Sequence, residues 1–185
     1  TTLGEQLDAE TLRRVLERYF EEMRATIDRH GGSVEKFVGD AVLAVFGIPV
    51  AHEDDALRAV RAGLAMRDAL ASLNTELARE WGGVQLGMRI GINTGEVVAG
   101  DPGHGQRFAT GSAVNLAARL EQAADPGDVL IGSATYALVR DAIEAVETEP
   151  LALKNVSQPT RGYRVLRARE ERPTARPLTD TPFVG

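Results

Sequence analysis

The chain has no cysteine. Disulfides, a thiolate nucleophile and any cysteine-held metal are therefore excluded, and a cytoplasmic setting is the expectation that fits. No apolar run approaches the length that crosses a membrane. The first residues are polar and carry no basic flank before an apolar block, so no signal peptide is read there. No Walker A sequence, Rossmann glycine fingerprint or internal repeat occurs. Positive charge is not in excess either: the formal net charge is −6, which argues against non-specific nucleic-acid binding. A small nucleotide remains admissible as a substrate, because one site can be locally basic or use a metal. What is present is ordinary for a globular protein: 43% hydrophobic and 26% charged residues. Its 185 residues predict one domain, or one domain with a tail, large enough to build a core without staples.

The stretch Ser33 to Phe46, SVEKFVGDAVLAVF, organises the rest. Two runs rich in β-branched and aromatic residues, 34–38 and 41–46, flank Gly39-Asp40 and predict a β-hairpin. The second run is almost wholly apolar and is expected to be buried on both faces. Asp40 at the tip offers hard oxygen ligands to a divalent cation. It also suits the turn by itself.

Before the hairpin, residues 8–30 predict a helix. Leu12, Val15, Leu16, Tyr19, Phe20, Met23 and Ile27 form one stripe, Asp8 stands where a cap belongs, and Gly31-Gly32 end it. A second helix runs from His52 to about Glu80, with acidic residues suited to its first turn. His52 beside Glu53 admits a metal-ligand reading and, more simply, a surface one. Val84 to Asn93 alternates as a strand and turns at Thr94-Gly95 into a second hairpin strand, 96–100. The polar loop 101–107 contains His104, read as a solvated loop residue. Residues 111–124 predict a helix with Ser112 as its cap, and they place Asn115 and Arg119 one turn apart on one face. An amide and a guanidinium together can orient a sugar and neutralise a phosphate, or form a plain surface pair. A turn at 125–128, a strand at 129–132, a helix opened by Ser133 and running to about 142, strand pieces at 145–149 and 151–154, and a last strand at 162–168 complete the order. From Arg169 the chain is charged and proline-bearing, a linker or tail. This order predicts an α+β sandwich, one mostly antiparallel sheet with helices on one face.

Taken in order, EKFVGDAVLAVFG, RIGINTGEVVAG, TGSAVNLAARLEQAADPGDVLI and LALKNVSQPTRGYRV closely resemble the class III nucleotidyl cyclase catalytic domain, the adenylate/guanylate cyclase homology domain. The resemblance covers about residues 1–168 and leaves 169–185 as linker or tail. It implies a ferredoxin-like palm of βαββαβ type. The reaction it implies is conversion of ATP, or GTP, into a 3′,5′-cyclic nucleotide and pyrophosphate, a phosphorus–oxygen lyase step in signal transduction. Two divalent ions, Mg2+ or Mn2+, and a head-to-tail homodimer with shared sites are implied as well. By the same resemblance Asp40 is a metal aspartate, Lys36 reads the adenine ring, Asn115 positions the ribose and Arg119 stabilises the transition-state phosphate. Lys154 lies near a loop that reaches the phosphates.

Two departures stand against that pattern. The family's other metal aspartate lies on a strand ahead of the first helix, and nothing in TTLGEQL matches it. The expectation is a longer parent whose upstream segment supplies it. The second base-reading position falls at Phe108, whose ring cannot accept a hydrogen bond from an adenine amino group. Phe108 can stack, or Thr110 can serve in its place. Adenine is favoured through Lys36. The tail segment PLTDTPFVG resembles the join to an ATPase module in some bacterial regulators. A cyclase-like regulatory domain without turnover, and a generic interaction module, are the competing readings.

Overall fold

The computed structural model describes residues 7–99, 109–151 and 161–170. Helix α1 spans Ala9–Arg29. Its start is set by Asp8, whose carboxylate accepts the backbone N–H of Glu10 at 3.1 Å and of Thr11 at 3.0 Å. These bonds hold the Asp8 carboxyl below the ordinary aspartate range, the Thr11 backbone bond foremost. Gly31, at φ +79°, ends the helix in a conformation that costs a glycine little. The hairpin follows as β1, Ser33–Val38, and β2, Ala41–Val45, paired antiparallel with a bulge at Glu35. The tip is Gly39-Asp40, with Gly39 at φ +63°.

Helix α2, Asp55–Glu80, lies against α1. It begins later than its acidic run predicts, because Asp55 is spent on the preceding loop. Its carboxylate accepts the His52 N–H at 2.6 Å and stands 3.3 Å from the His52 ring. His52 is thus a loop partner of Asp55, and it joins no cluster suited to a metal among the described residues. Between the two helices Val15, Leu70, Leu73, Leu77 and Val84 form one apolar cluster.

The expected strand 84–93 shrinks to β3, Ile90–Ile92. Leu86, earlier in that stretch, has its backbone held by a side chain instead. Asn74 of α2 donates to the Leu86 carbonyl at 2.9 Å and accepts its N–H at 2.8 Å. The second hairpin is also different from its prediction. β3 pairs with no strand at 96–100; it lies parallel to β6, Val129–Gly132. β4, Val98–Ala99, pairs instead with β5, Ala109–Thr110. The chain leaves β3 sideways because the Thr94 hydroxyl bonds that of buried Thr135 at 3.0 Å, and Gly95 packs on Ala113.

Helix α3, Ser112–Ala123, is capped by Gly111 at φ +143°, and helix α4, Ser133–Val139, by Gly132. The serines expected to cap both are the first helical residues, and neither makes a side-chain cap bond. α4 ends at Val139, earlier than expected, since β7, Ile143–Glu147, starts directly after it. β8 spans Gly162–Ala168. The main sheet has the order β3-β6-β8-β7, with its two pairings through β8 antiparallel and β3-β6 parallel.

The α+β class predicted from the residues and the palm that the resemblance implies both stand, and the placing of the helices is corrected. Val129 and Ile131 face α2 and α4, in a core with Val60, Leu64, Val139, Ile143 and Val165. Leu130 points the other way, onto Leu120 and Ala124 of α3 and its C-terminus. Helices therefore cover both faces, because β6 is apolar at every position and buried throughout. Gly91 allows the close approach. A Cβ there would run into the Ala117 carbonyl and the Glu121 backbone of α3.

Candidate nucleotide site

The hairpin β1–β2 forms a separate two-stranded sheet. β2 is half-buried and not buried on both faces as its composition predicts; one of its edges pairs with β1 and its residues line a groove. That groove, of about 240 Å3, runs between β2 and β3 and is lined by Val42, Phe46, Met66, Ile92, Asn93 and Ala113, among others. Asn93 lines it with a buried amide oxygen that has no hydrogen-bond partner among the described residues, while its nitrogen reaches the Ala113 carbonyl at 3.4 Å.

One pair of the expected site residues stands on the hairpin. Asp40 is exposed at the tip, and Lys36 is exposed on β1 opposite Leu43. The Phe37 ring packs on Phe20 of α1 at 4.7 Å between centroids, and the Arg24 guanidinium lies 5.3 Å over it. Adjacent strand residues point to opposite sides, so Lys36 is presented on the side away from α1. Asp40 is near enough to Tyr19 to act on it. Burial, and then the negative charge of Asp40, hold the Tyr19 phenol above its ordinary pKa.

The second pair stands on α3. Gly111 tucks its backbone against the Glu96 carbonyl, and the Asn115 N–H closes the first turn onto the Gly111 carbonyl at 3.2 Å. Asn115 is exposed and Arg119 half-buried, one turn apart on the same side. Buried Ala113 and Leu120 mark the side that meets the sheet. Among the described residues Arg119 makes no ion pair; the nearby Glu121 is taken by Arg89 at 3.3 Å.

Lys36 with Asp40, and Asn115 with Arg119, are thus brought together as two pairs on two elements. The hairpin leans on α1, and α3 leans on β3 and β6. No hydrogen bond or ion pair among the described residues joins one pair to the other. Thr110 lies in β5, opposite Val98. Phe108 and Lys154 lie outside the described residues. Sequence reasoning missed Tyr19, Phe20 and Arg24 as neighbours of the hairpin. The sequence shows Tyr19 and Phe20 only as part of the apolar stripe of the helix, which does not say that its edge meets the hairpin.

The fold and these elements define a palm-type catalytic domain, and comparison with known proteins gives its family. The model of the adenylate and guanylate cyclase catalytic domain matches residues 1–166. The chain belongs to that family. The adenylyl cyclase CyaB from P. aeruginosa is 37% identical, with a TM-score of 0.84 over 91% of this chain and 88% of that one. The guanylyl cyclase Cya2 is 36% identical, with a TM-score of 0.84 over 90% and 86%. Adenylate cyclase 1 of Rhizobium meliloti is 34% identical over 149 residues, 78% of this chain and 22% of the relative. The chain spans a third or less of the curated relatives it matches, 30% of a Mycobacterium bovis protein that is 36% identical.

Cyclase domains of this family generally use divalent metal ions. The carboxylate of Asp40 is the kind of oxygen donor such an ion takes. Among the described residues no three His, Asp or Glu side chains gather around one point.

Proposed function

We propose that the chain is the catalytic domain of an adenylate cyclase, converting ATP to 3′,5′-cyclic AMP and pyrophosphate at sites shared by two head-to-tail copies. The carrying observation is the placing of Lys36 and Asp40 on one element and Asn115 and Arg119 on another, in a domain of this family. In this reading the ribose 3′ oxygen bonds to the α-phosphorus as the bond from that phosphorus to the bridging oxygen breaks. Pyrophosphate leaves with the electron pair, and the hydroxyl proton passes to solvent. Asn115 orients the ribose. Arg119 meets the negative charge that grows on the phosphate oxygens. Lys36 reads the adenine edge, Phe108 stacks or yields to Thr110, and Lys154 approaches the phosphates. Magnesium or manganese ions, one of them on Asp40, would supply positive charge to the same phosphates. We assign residues 1–168 to the domain and 169–185 to a linker or tail. The setting is cytoplasmic signal transduction. No helix among the described residues is long and apolar enough to cross a membrane.

Phe108 at the second base-reading position favours a second reading, a cyclase-like domain that dimerises and binds nucleotide without turnover. One experiment separates the two. The chain within its longer parent, with the upstream strand expected to carry the second aspartate, is assayed for cyclic AMP and cyclic GMP from ATP and GTP with manganese, beside Asp40→Ala. Product from ATP, lost in the variant, is the expected outcome. A folded dimer that makes no product above the variant overturns the enzyme reading.

A further inference from the structure

We infer that Thr94 and Thr135 are positioning residues for Asn115, because the bond between their hydroxyls fixes the turn on which the start of α3 rests. The role of Asn115 rests on the cyclase reading; the clamp itself does not.

Helix α3 is held at two places. Its C-terminal half lies on the main sheet, where Gly91 meets the backbone of Ala117 and Glu121 and Leu120 is buried. Its N-terminal end rests on the stretch 93–97 that leaves β3. Asn93 donates to the Ala113 carbonyl at 3.4 Å. Gly95 comes so near that a Cβ on it would stand 3.0 Å from the Ala113 Cβ. Gly111, at φ +143°, lies against the Glu96 carbonyl and Val97. The Asn115 N–H bonds the Gly111 carbonyl at 3.2 Å, so Asn115 follows this end of the helix.

Residues 93–97 lie in neither helix nor strand. What fixes them comes from α4. The Thr94 hydroxyl stands 3.0 Å from that of Thr135, and Thr135 is wholly buried. The Asn93 amide oxygen lies against Gly132, the residue before α4. Helix α4 is in turn anchored on the sheet. Val139 sits in the core, and the Tyr136 ring stacks on Tyr163 of β8 at 3.8 Å and 8°.

The spacing depends on the hydroxyls. Two oxygens sharing a proton stand at 3.0 Å here, whereas a methyl in place of either needs about 3.5–4.0 Å. A valine at Thr135 therefore moves the turn outward by about 0.5–1 Å without opening a cavity. The far half of α3 stays on Gly91, so the helix tilts there. Arg119 lies between Ala117 and Glu121, at the pivot, and Asn115 lies beyond it. The displacement falls on Asn115.

The test uses the chain within its longer parent, with Thr135→Val, Thr135→Ser, Thr94→Val, Asn115→Ala and the pair Thr135→Val/Asn115→Ala. The readouts are kcat and KM for ATP with manganese, hydrogen exchange of the 115–117 amides, and Tm. Thr135→Val should lower kcat about tenfold, the worth of one directed hydrogen bond, with KM within about twofold. Exchange at 115–117 should rise. Thr94→Val should match it, and being at a half-buried position it gives the answer if Thr135→Val does not fold. Thr135→Ser keeps the oxygen and loses a buried methyl. It should lower Tm and hold kcat within about twofold. In the Asn115→Ala background, Thr135→Val should cost less than about twofold in kcat. Unchanged kcat or unchanged exchange in the valine variants overturns the inference. So does a serine variant as slow as valine, the mark of a merely structural role, and so does a full tenfold cost without Asn115. A wild-type chain that makes no product overturns the cyclase reading alone; faster exchange in the valine variants then still supports the clamp, and unchanged exchange still removes it.

Discussion

The amide of Asn74 makes two hydrogen bonds that no neighbouring strand makes for Leu86. An alanine there leaves a partly buried N–H and C=O in search of water. Asn74→Ala should therefore cost about 1–3 kcal/mol, the range for orphaned groups of this kind. Urea unfolding should show a lowered midpoint at unchanged slope. A midpoint equal to wild type would mean that water already serves Leu86. Nothing in the alternation of 84–93 foretold this. Val84, Leu86 and Met88 recur at strand spacing, and the side chain that competes for the Leu86 backbone comes from a helix twelve residues away in the chain. Asp8, in contrast, was legible as a cap, because the bond it makes is local.

At the scale of elements, α3 depends on Gly91. A Cβ at that position would meet the Ala117 carbonyl and come within 3.0 Å of the Glu121 Cα. Backbone cannot step aside as a side chain can, so Gly91→Ala should push α3 off the sheet at a cost of about 1–3 kcal/mol or more. Chemical denaturation beside Gly63→Ala checks it. A Cβ on Gly63 would meet the far ends of Ile92 and Val129 at 3.2 and 3.3 Å, and that variant should lose less. Equal loss would show that α3 follows the strand with ease. The helices themselves were read well from their stripes, with boundaries off by a few residues where Gly111 and Gly132, not the serines, held the cap positions. Strand partners were read poorly. Each residue of β3 pairs with one 39 residues further along in β6, and periodicity within a segment carries no information about its neighbour.

For the whole molecule, the α+β class was legible from element order, and the family, with the palm it implies, from four ordered motifs, while the coverage of both sheet faces was not. An apolar run such as Val129-Leu130-Ile131 announces burial and not which helix lies on which side. The shared-site arrangement in the proposed function has an arithmetic consequence. Protomers carrying Asp40→Ala and protomers carrying Arg119→Ala, mixed equally and re-paired at random, form mixed dimers about half the time, and each has one intact site. Activity should recover to about a quarter of wild type. A mixture as inactive as its components would count against head-to-tail sharing. Activity against mixing ratio is the measurement.

Helix α3 turns one side to the sheet through Ala113, Ala117 and Leu120 and another outward through Asn115, Ala118 and Arg119. Mutation therefore meets two separate constraints on one twelve-residue helix. Drift at the inward positions is answerable to folding, and drift at the outward ones, in the function proposed above, to the nucleotide. A lineage can change its ligand there while its scaffold stays as it is.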